Sequence, residues 1–375
     1  MSYTICGLSY TLTHLSPKET TESSDLSSSE MASGQADLDL RRLAEFMQAA
    51  LGSPPGELRV RRFRGGQSNP TYLLSVGEVP YVLRKKPPGR LLPSAHAVER
   101  EYRIMSALAS SGVPVPRMLC LCEDPGVLGT PFYIMEYIEG RVLYDPALPG
   151  MSREERVAVY TEMNRVISAL HQIDYRSVGL KDFGRPGHYL ERQVGRWTKQ
   201  YRASETSTIE AMERLIDWLP THLPAAQDSS IVHGDFRLDN LILSTTEPRI
   251  LAVVDWELST LGDPLADVAY HALIWSLTGE QFRGMAGRDL APLGIPSERE
   301  YVMEYCRRTG RASVDSRVWH FYIAFNLFRL ASILQGILHR SLEGNAADPT
   351  ASETGRRARV IAEAGWQRVT SSRLD

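Results

Sequence analysis

One segment of this 375-residue chain constrains its fold more than any other. It is His233-Gly234-Asp235-Phe236-Arg237-Leu238-Asp239-Asn240, followed fifteen residues after Asn240 by Asp255. Ile231-Val232 enters the segment as a short apolar run and Leu241-Ile242-Leu243 leaves it as another. Pro248-Arg249 then breaks the chain, and Ile250-Leu251-Ala252-Val253-Val254 reads as a strand that delivers Asp255 at its end. An isolated His-Gly-Asp is an ordinary polar turn. A carboxylate, an amide and a second carboxylate in this order, each where a loop meets a strand, are what phosphoryl transfer needs. That reaction asks for a base beside the acceptor hydroxyl and for oxygen ligands to Mg²⁺ on the nucleotide phosphates. Asp235 fits the base; Asn240 and Asp255 fit the metal ligands.

These residues resemble the aminoglycoside phosphotransferase and choline kinase-like group, which shares the two-lobed protein kinase fold. His233 to Asn240 match its catalytic-loop pattern H-G-D-x-x-x-x-N, and Asp255 matches the metal-binding acid that takes the role of the kinase D-F-G aspartate. The tripeptide Asp182-Phe183-Gly184 is a decoy, because it precedes the catalytic loop and the metal acid must follow it. The resemblance implies an α+β fold, with a small antiparallel-sheet lobe over residues 37–140 and a larger, mostly helical lobe over 141–370. It implies ATP and Mg²⁺ as cofactors, with ATP between the lobes.

The N-terminal half carries further parts in the kinase order. Arg64-Gly65-Gly66-Gln67-Ser68-Asn69 separates two β-like runs. Two glycines let backbone amides approach a phosphate, and Ser68 or Asn69 can add hydrogen bonds, although a Gly-Gly turn is also a common hairpin. In Tyr81-Val82-Leu83-Arg84, Arg84 stands where the kinase strand motif has lysine; it keeps the charge on the phosphates but spreads it over a planar fork. Val98, Tyr102, Met105 and Leu108 form one stripe of a helix. The resemblance makes Glu101 of that helix the partner of Arg84, with Glu99 as a rival. Phe132 to Gly140 reads as a buried strand and a turn, which in the family is the adenine-binding hinge, here Glu136 to Ile138.

The second lobe opens with a capping box, Ser152 three residues before Glu155. His171 and His233 are read as architectural, and Asp267 as the acid that hydrogen-bonds back to the catalytic-loop backbone, on the family pattern. The 43% apolar content is enough for a large core, and a net charge of −3 exerts no general pull toward nucleic acid. Four cysteines show no disulfide framework, and no apolar run approaches a membrane span. Residues 1–36 are Ser/Thr-rich and are expected to be a disordered tail rather than a secretory signal. A cytoplasmic enzyme is expected.

The acceptor is less constrained. Arg192, Arg196 and Lys199 fall on one helix face, and Arg329 lies on a later helix. If these charges line the acceptor site, the substrate is an anion; they could equally snorkel over the surface. Gly179 to Pro186, Tyr189 to Gln193 and the Arg329 helix look like the kinase-like domain found with acyl-CoA dehydrogenases. That resemblance implies a hydroxyacyl-CoA or hydroxy acid acceptor and a pathway shared with such a dehydrogenase. An aminoglycoside, sugar or amino-alcohol kinase and a non-catalytic nucleotide-binding module stay open as alternatives.

Overall fold

A computed structural model describes residues 31–32, 38–52, 56–63, 69–88, 96–225, 227–344 and 350–371. Its described residues divide into two compact units, one holding those up to Val142 together with Asn240–Ser259, the other holding Leu143–Asp239 and those from Thr260 onward. The catalytic-loop segment is therefore cut at Asp239/Asn240, and Asp255 belongs with the N-terminal part of the chain.

The first unit is built on an antiparallel sheet. Its strands are β1 (Met31–Ala32), β2 (Leu58–Phe63), β3 (Thr71–Val76), β4 (Val79–Lys85), β5 (Met118–Cys122) and β6 (Phe132–Glu136), in the order β1-β2-β3-β4-β6-β5. β1 falls within the expected disordered tail; the rest of that tail lies outside the described residues. Tyr72, Leu74, Leu83, Phe132 and Ile134 pack with Leu43 and Met47 of the Leu40–Leu51 helix. That helix starts at Asp39, whose side chain accepts from the Arg42 amide, and stops at Gly52 in the left-handed conformation. The Val98–Leu108 helix buries Val98, Met105 and Leu108 of the expected stripe, leaves Tyr102 half-buried, and also buries Ile104 and Glu101. The same unit holds the hairpin of β8 (Leu241–Leu243) and β9 (Ile250–Val253). Gly140 lets the chain leaving β6 lie against it: a Cβ there would stand 2.5 Å from the Leu243 carbonyl oxygen.

The second unit is helical around the Ser316–Leu342 helix, against which the helices Tyr189–Ser204, Pro264–His271 and Ala358–Ser371 pack. By length and composition alone this central helix could cross a membrane, which the apolar runs of the sequence do not bring out, but its most apolar stretch is 94% buried within the protein. Its Ile323, Leu327, Phe328 and Leu334 are core residues, each contributing about 1.5–3 kcal/mol by burial. A charge at Leu327 would break this packing. The Arg153–Gln172 helix carries the expected capping box between Ser152 and Glu155. A two-stranded sheet of β7 (Ser230–Val232) and β10 (Thr260–Gly262) leads directly into the loop carrying Asp235.

Candidate active site

Arg84 enters the first unit's site from β4, opposite Tyr133 of β6. Its Nε lies 3.1 Å from Glu101, its Nη2 donates to Asp255 Oδ1 at 2.7 Å, and Glu257 is 3.7 Å away. Burial works against the guanidinium charge, and Glu101 and then Asp255 more than offset it, so the pKa of Arg84 stands well above its ordinary value. Glu101 is 1% exposed and also accepts from Asn69 Nδ2 at 2.8 Å and Tyr133 Oη at 3.1 Å. A buried carboxylate is tolerable only when its lone pairs are met in this way. Glu99, the alternative partner, lies instead 3.7 Å from Lys86.

The β8–β9 hairpin brings the two candidate metal ligands to one end. Leu241 pairs with Val253, and one step further the Val254 amide donates to the Asn240 carbonyl at 3.0 Å. Asn240 therefore stands next to the turn that carries Asp255. Asp255 has φ 65° and ψ 57°, a left-handed conformation that a non-glycine residue adopts at a cost of about 1–3 kcal/mol. The tethers around it hold it there: Trp256 Nε1 donates to the Val253 carbonyl at 2.9 Å, and Arg84 holds the carboxylate. No cluster of three metal-ligating His, Cys, Asp or Glu exists among the described residues. Magnesium keeps waters and phosphate oxygens and needs only one or two protein oxygens, so Asn240 and Asp255 suit it as a donor set.

In the second unit, Asp235 sits in a loop clamped from below. Asp267 accepts the His233 amide on Oδ2 at 2.7 Å and the Gly234 amide on Oδ1 at 2.8 Å. His171 Nε2 reaches the same Oδ2 at 3.1 Å, and its Nδ1 meets the Tyr305 hydroxyl at 2.9 Å. Burial pushes the Asp267 carboxyl up, but the hydrogen bond and charge of His171 with the His233 contacts bring it below its ordinary value. The Asp235 amide donates to His233 Nδ1 at 3.2 Å, which requires that nitrogen to be unprotonated. From above, Arg329 Nη2 donates to the Gly234 carbonyl at 2.6 Å. Gly234 itself has φ 83°, open to glycine at little cost. Arg237 Nε lies 3.2 Å from Asp235 Oδ1, and its Nη2 donates to Asp239 at 2.8 Å.

Gly65, Gly66 and Ser68 lie outside the described residues. Asn69, considered as a phosphate donor, is fully buried and committed to Glu101 and His96. Glu136 ends β6; its amide donates to the Arg117 carbonyl at 3.0 Å and its side chain accepts the Arg117 amide at 2.7 Å. Ile138 follows in irregular chain. Two of the three arginines expected on an anionic-acceptor face, Arg192 and Arg329, are taken up by main-chain oxygens. Arg192 donates to the carbonyls of Gly187 and Arg185, and Arg329 is buried against the Tyr270 ring at 4.6 Å while holding Gly234. Main-chain oxygens take these guanidiniums, so a face open to a substrate is not built from them. Arg196 lies over Trp197 at 5.6 Å. Asp182-Phe183-Gly184 is structural: Phe183 is buried, and a Cβ on Gly184 would stand 2.7 Å from the Leu261 amide of β10. Sequence reasoning passed over Arg237, Asp239 and Arg283, whose only signal was position inside or after the catalytic segment.

Comparison with known proteins gives the family and the fold. Residues 59–301 match the phosphotransferase enzyme family. Mouse acyl-CoA dehydrogenase family member 10 is 51% identical over 331 residues, covering 88% of this chain and 31% of that protein. Rat acyl-CoA dehydrogenase family member 11 is 40% identical over 343 residues, covering 89% and 43%. The chain thus spans less than half the length of these curated relatives. A solved structure from Ralstonia eutropha, provisionally assigned as an aminoglycoside phosphotransferase, is 51% identical with a TM-score of 0.81, covering 89% of this chain and 99% of that one. A thermostable mutant of aminoglycoside phosphotransferase APH(4)-Ia, solved with AMP-PNP and hygromycin B, shares the fold at a TM-score of 0.55 and 19% identity, covering 86% and 98%. The chain belongs to the phosphotransferase enzyme family and has the aminoglycoside phosphotransferase kinase-like fold.

Proposed function

We propose that this chain is a small-molecule kinase that moves the γ-phosphate of ATP to the hydroxyl of a hydroxyacyl-CoA or a hydroxy acid. The observation that carries the kinase reading is the buried fork of Arg84 between Glu101 and Asp255, at the turn next to Asn240. Such a fork presents a fixed positive charge to nucleotide phosphates and holds the metal-binding acid in place. Magnesium bound by Asn240 and Asp255 would neutralise charge on the phosphate oxygens. Asp235 accepts a hydrogen bond from the acceptor hydroxyl, orients it for in-line attack and takes its proton. The loop holding Asp235 does not reorganise on binding, because Asp267 and Arg329 already hold its main chain.

The hydroxyacyl acceptor is supported by the relatives named as acyl-CoA dehydrogenase family members, and a pathway shared with such a dehydrogenase follows from the same likeness. Mass analysis of incubations with ATP, Mg²⁺ and a 4-hydroxyacyl-CoA tests this reading. One phosphoryl group added to the thioester supports it. Phosphorylation of choline or an aminoglycoside with none of the thioester would move the acceptor to another class.

A further inference from the structure

Next to the catalytic loop, and wholly inside the second unit, lies a cavity partly open to solvent. Its floor is buried and apolar: Met163, Leu277 and Leu330 are each 1% exposed, and Leu273 is 6% exposed. Tyr160 is no exception, since its hydroxyl is committed to the Pro146 carbonyl at 2.6 Å. The rim is polar and more exposed. Arg237, Leu238 and Asp239 of the catalytic loop form one side of the cavity and Arg283 another, with Tyr144 beneath the Arg283 guanidinium. Asp239 accepts from both Arg237 at 2.8 Å and Arg283 at 3.0 Å, and Arg237 in turn reaches Asp235. The rim is thus tied to the base by one side chain.

Two further observations point to an occupant. Arg283 is held at φ 39°, a left-handed conformation unfavourable for a side-chain-bearing residue, directly after the capped Gly279–Phe282 turn. His271 lines the cavity at 2% exposure, and its Nε2 has no hydrogen-bond partner among the described residues. A buried polar atom left without a partner is uncommon and asks for a ligand or water. Burial pushes the His271 ring down to about 4, so it stays neutral at physiological pH and adds no charge to the apolar cavity, where a water can meet its free nitrogen.

We propose that this cavity receives the aliphatic chain of the phosphate acceptor and thereby sets its chain-length preference, with the Arg237–Asp239–Arg283 cluster at its rim. The inference rests on the kinase reading above and adds to it the residues that select the substrate. It also excludes polycations as good occupants: a cavity lined by Leu273, Leu277 and Leu330 with two arginines at its rim offers a polyamine no unpaired carboxylate. Apolar transfer of about 0.8 kcal/mol per methylene corresponds to roughly fourfold in affinity for each carbon until the cavity is full.

The test is a series of 4-hydroxyalkanoyl-CoA thioesters of increasing chain length, measured on the full chain for binding by calorimetry and for phosphate transfer. Wild-type affinity should rise about fourfold per methylene and then level off. Ile274→Phe, placed on a half-buried wall residue, should move the levelling point to shorter chains. Leu273→Ala should move it to longer ones, while KM for ATP holds in both. A flat wild-type series, or a levelling point that neither variant moves, overturns the assignment. Transfer with a flat series would leave the kinase reading standing without the cavity. A rising binding series with no transfer would support the cavity as a chain site and remove the hydroxyacyl acceptor.

Discussion

Arg84 donates through Nη2 to Asp255 Oδ1 at 2.7 Å while its Nε faces Glu101 at 3.1 Å, so one planar group joins strand β4, the Val98–Leu108 helix and the turn after β9. A lysine can supply the charge but not both contacts. Arg84→Lys should therefore raise KM for ATP about tenfold and lower stability by about 1–3 kcal/mol, because Glu101 or Asp255 loses its buried partner. Nucleotide titration with parallel urea melts reads both effects. A variant matching wild type in both would show that the fork is not what holds the site.

Asp255 combines a strained backbone with a charged contact. Asp255→Ala keeps the left-handed strain and removes the carboxylate from Arg84. Affinity for ATP measured with Mg²⁺ should fall, whereas affinity measured in EDTA should change little. Equal losses under both conditions would mean that Asp255 does not act through the metal.

Asp267 is a positioning residue that holds the catalytic loop through the His233 and Gly234 amides. Asp267→Asn leaves the shape but can accept on one atom only, so a buried amide loses its partner, at about 1–3 kcal/mol. The expected signature is kcat down by about 10²-fold with KM for ATP unchanged, since the Arg84 cluster lies in the other unit. Partial unfolding would also lower apparent kcat, so the folded fraction is measured in parallel by urea melts; a loss of kcat matched by the loss of folded protein would contradict the positioning role.

Two buried groups set an opposing pH dependence. His271 is pushed by burial from 6.5 to about 4, so below pH 6.5 the unfolded chain binds a proton that the folded chain refuses. Its contribution is complete above pH 6.5 and is lost toward pH 4, about 3 kcal/mol in all. Burial raises Asp263 to about 6 against hydrogen bonds from Tyr322 and Leu265. The folded chain therefore holds that proton longer, and the Asp263 contribution declines as pH rises from about 4 to 6. His271→Phe removes only the first effect. Its stability relative to wild type should improve on going from pH 7 to pH 4.5 in urea denaturation; a pH-independent difference would mean that His271 does not stay neutral.

The candidate site was proposed from the chain because phosphoryl transfer fixes both residue types and their order, and the structure brings Arg84, Glu101 and Asp255 together. Asp235, Asn240 and Asp255 stand out from short segments of clear strand pattern, whereas the pairing of Glu101 with Arg84 came from the family resemblance, with Glu99 left open until the structure placed Glu101 at 3.1 Å. What could not be read is what long-range packing decides. Helical spacing places Arg192 and Arg329 on exposed-looking faces, but it cannot reveal that the carbonyls of Arg185, Gly187 and Gly234 take their charge. The cavity joins Tyr160, Leu277 and Leu330 from three separate helical regions, so no local pattern announces it. Asn69 looked like a loop donor beside two glycines, and only tertiary structure shows it buried beneath Glu101.

The central claim is that Asp235 serves phosphate transfer to an acceptor hydroxyl, and the most direct measurement is turnover of wild type and Asp235→Asn on the same panel. The panel contains 4-hydroxyacyl-CoAs, free hydroxy acids, choline and an aminoglycoside, with ATP binding measured alongside. The account predicts Mg²⁺-dependent phosphorylation of the hydroxyacyl members, lost by about 10²–10⁴-fold in Asp235→Asn with ATP affinity retained. Wild-type rates in Asp235→Asn on the accepted substrate would contradict it.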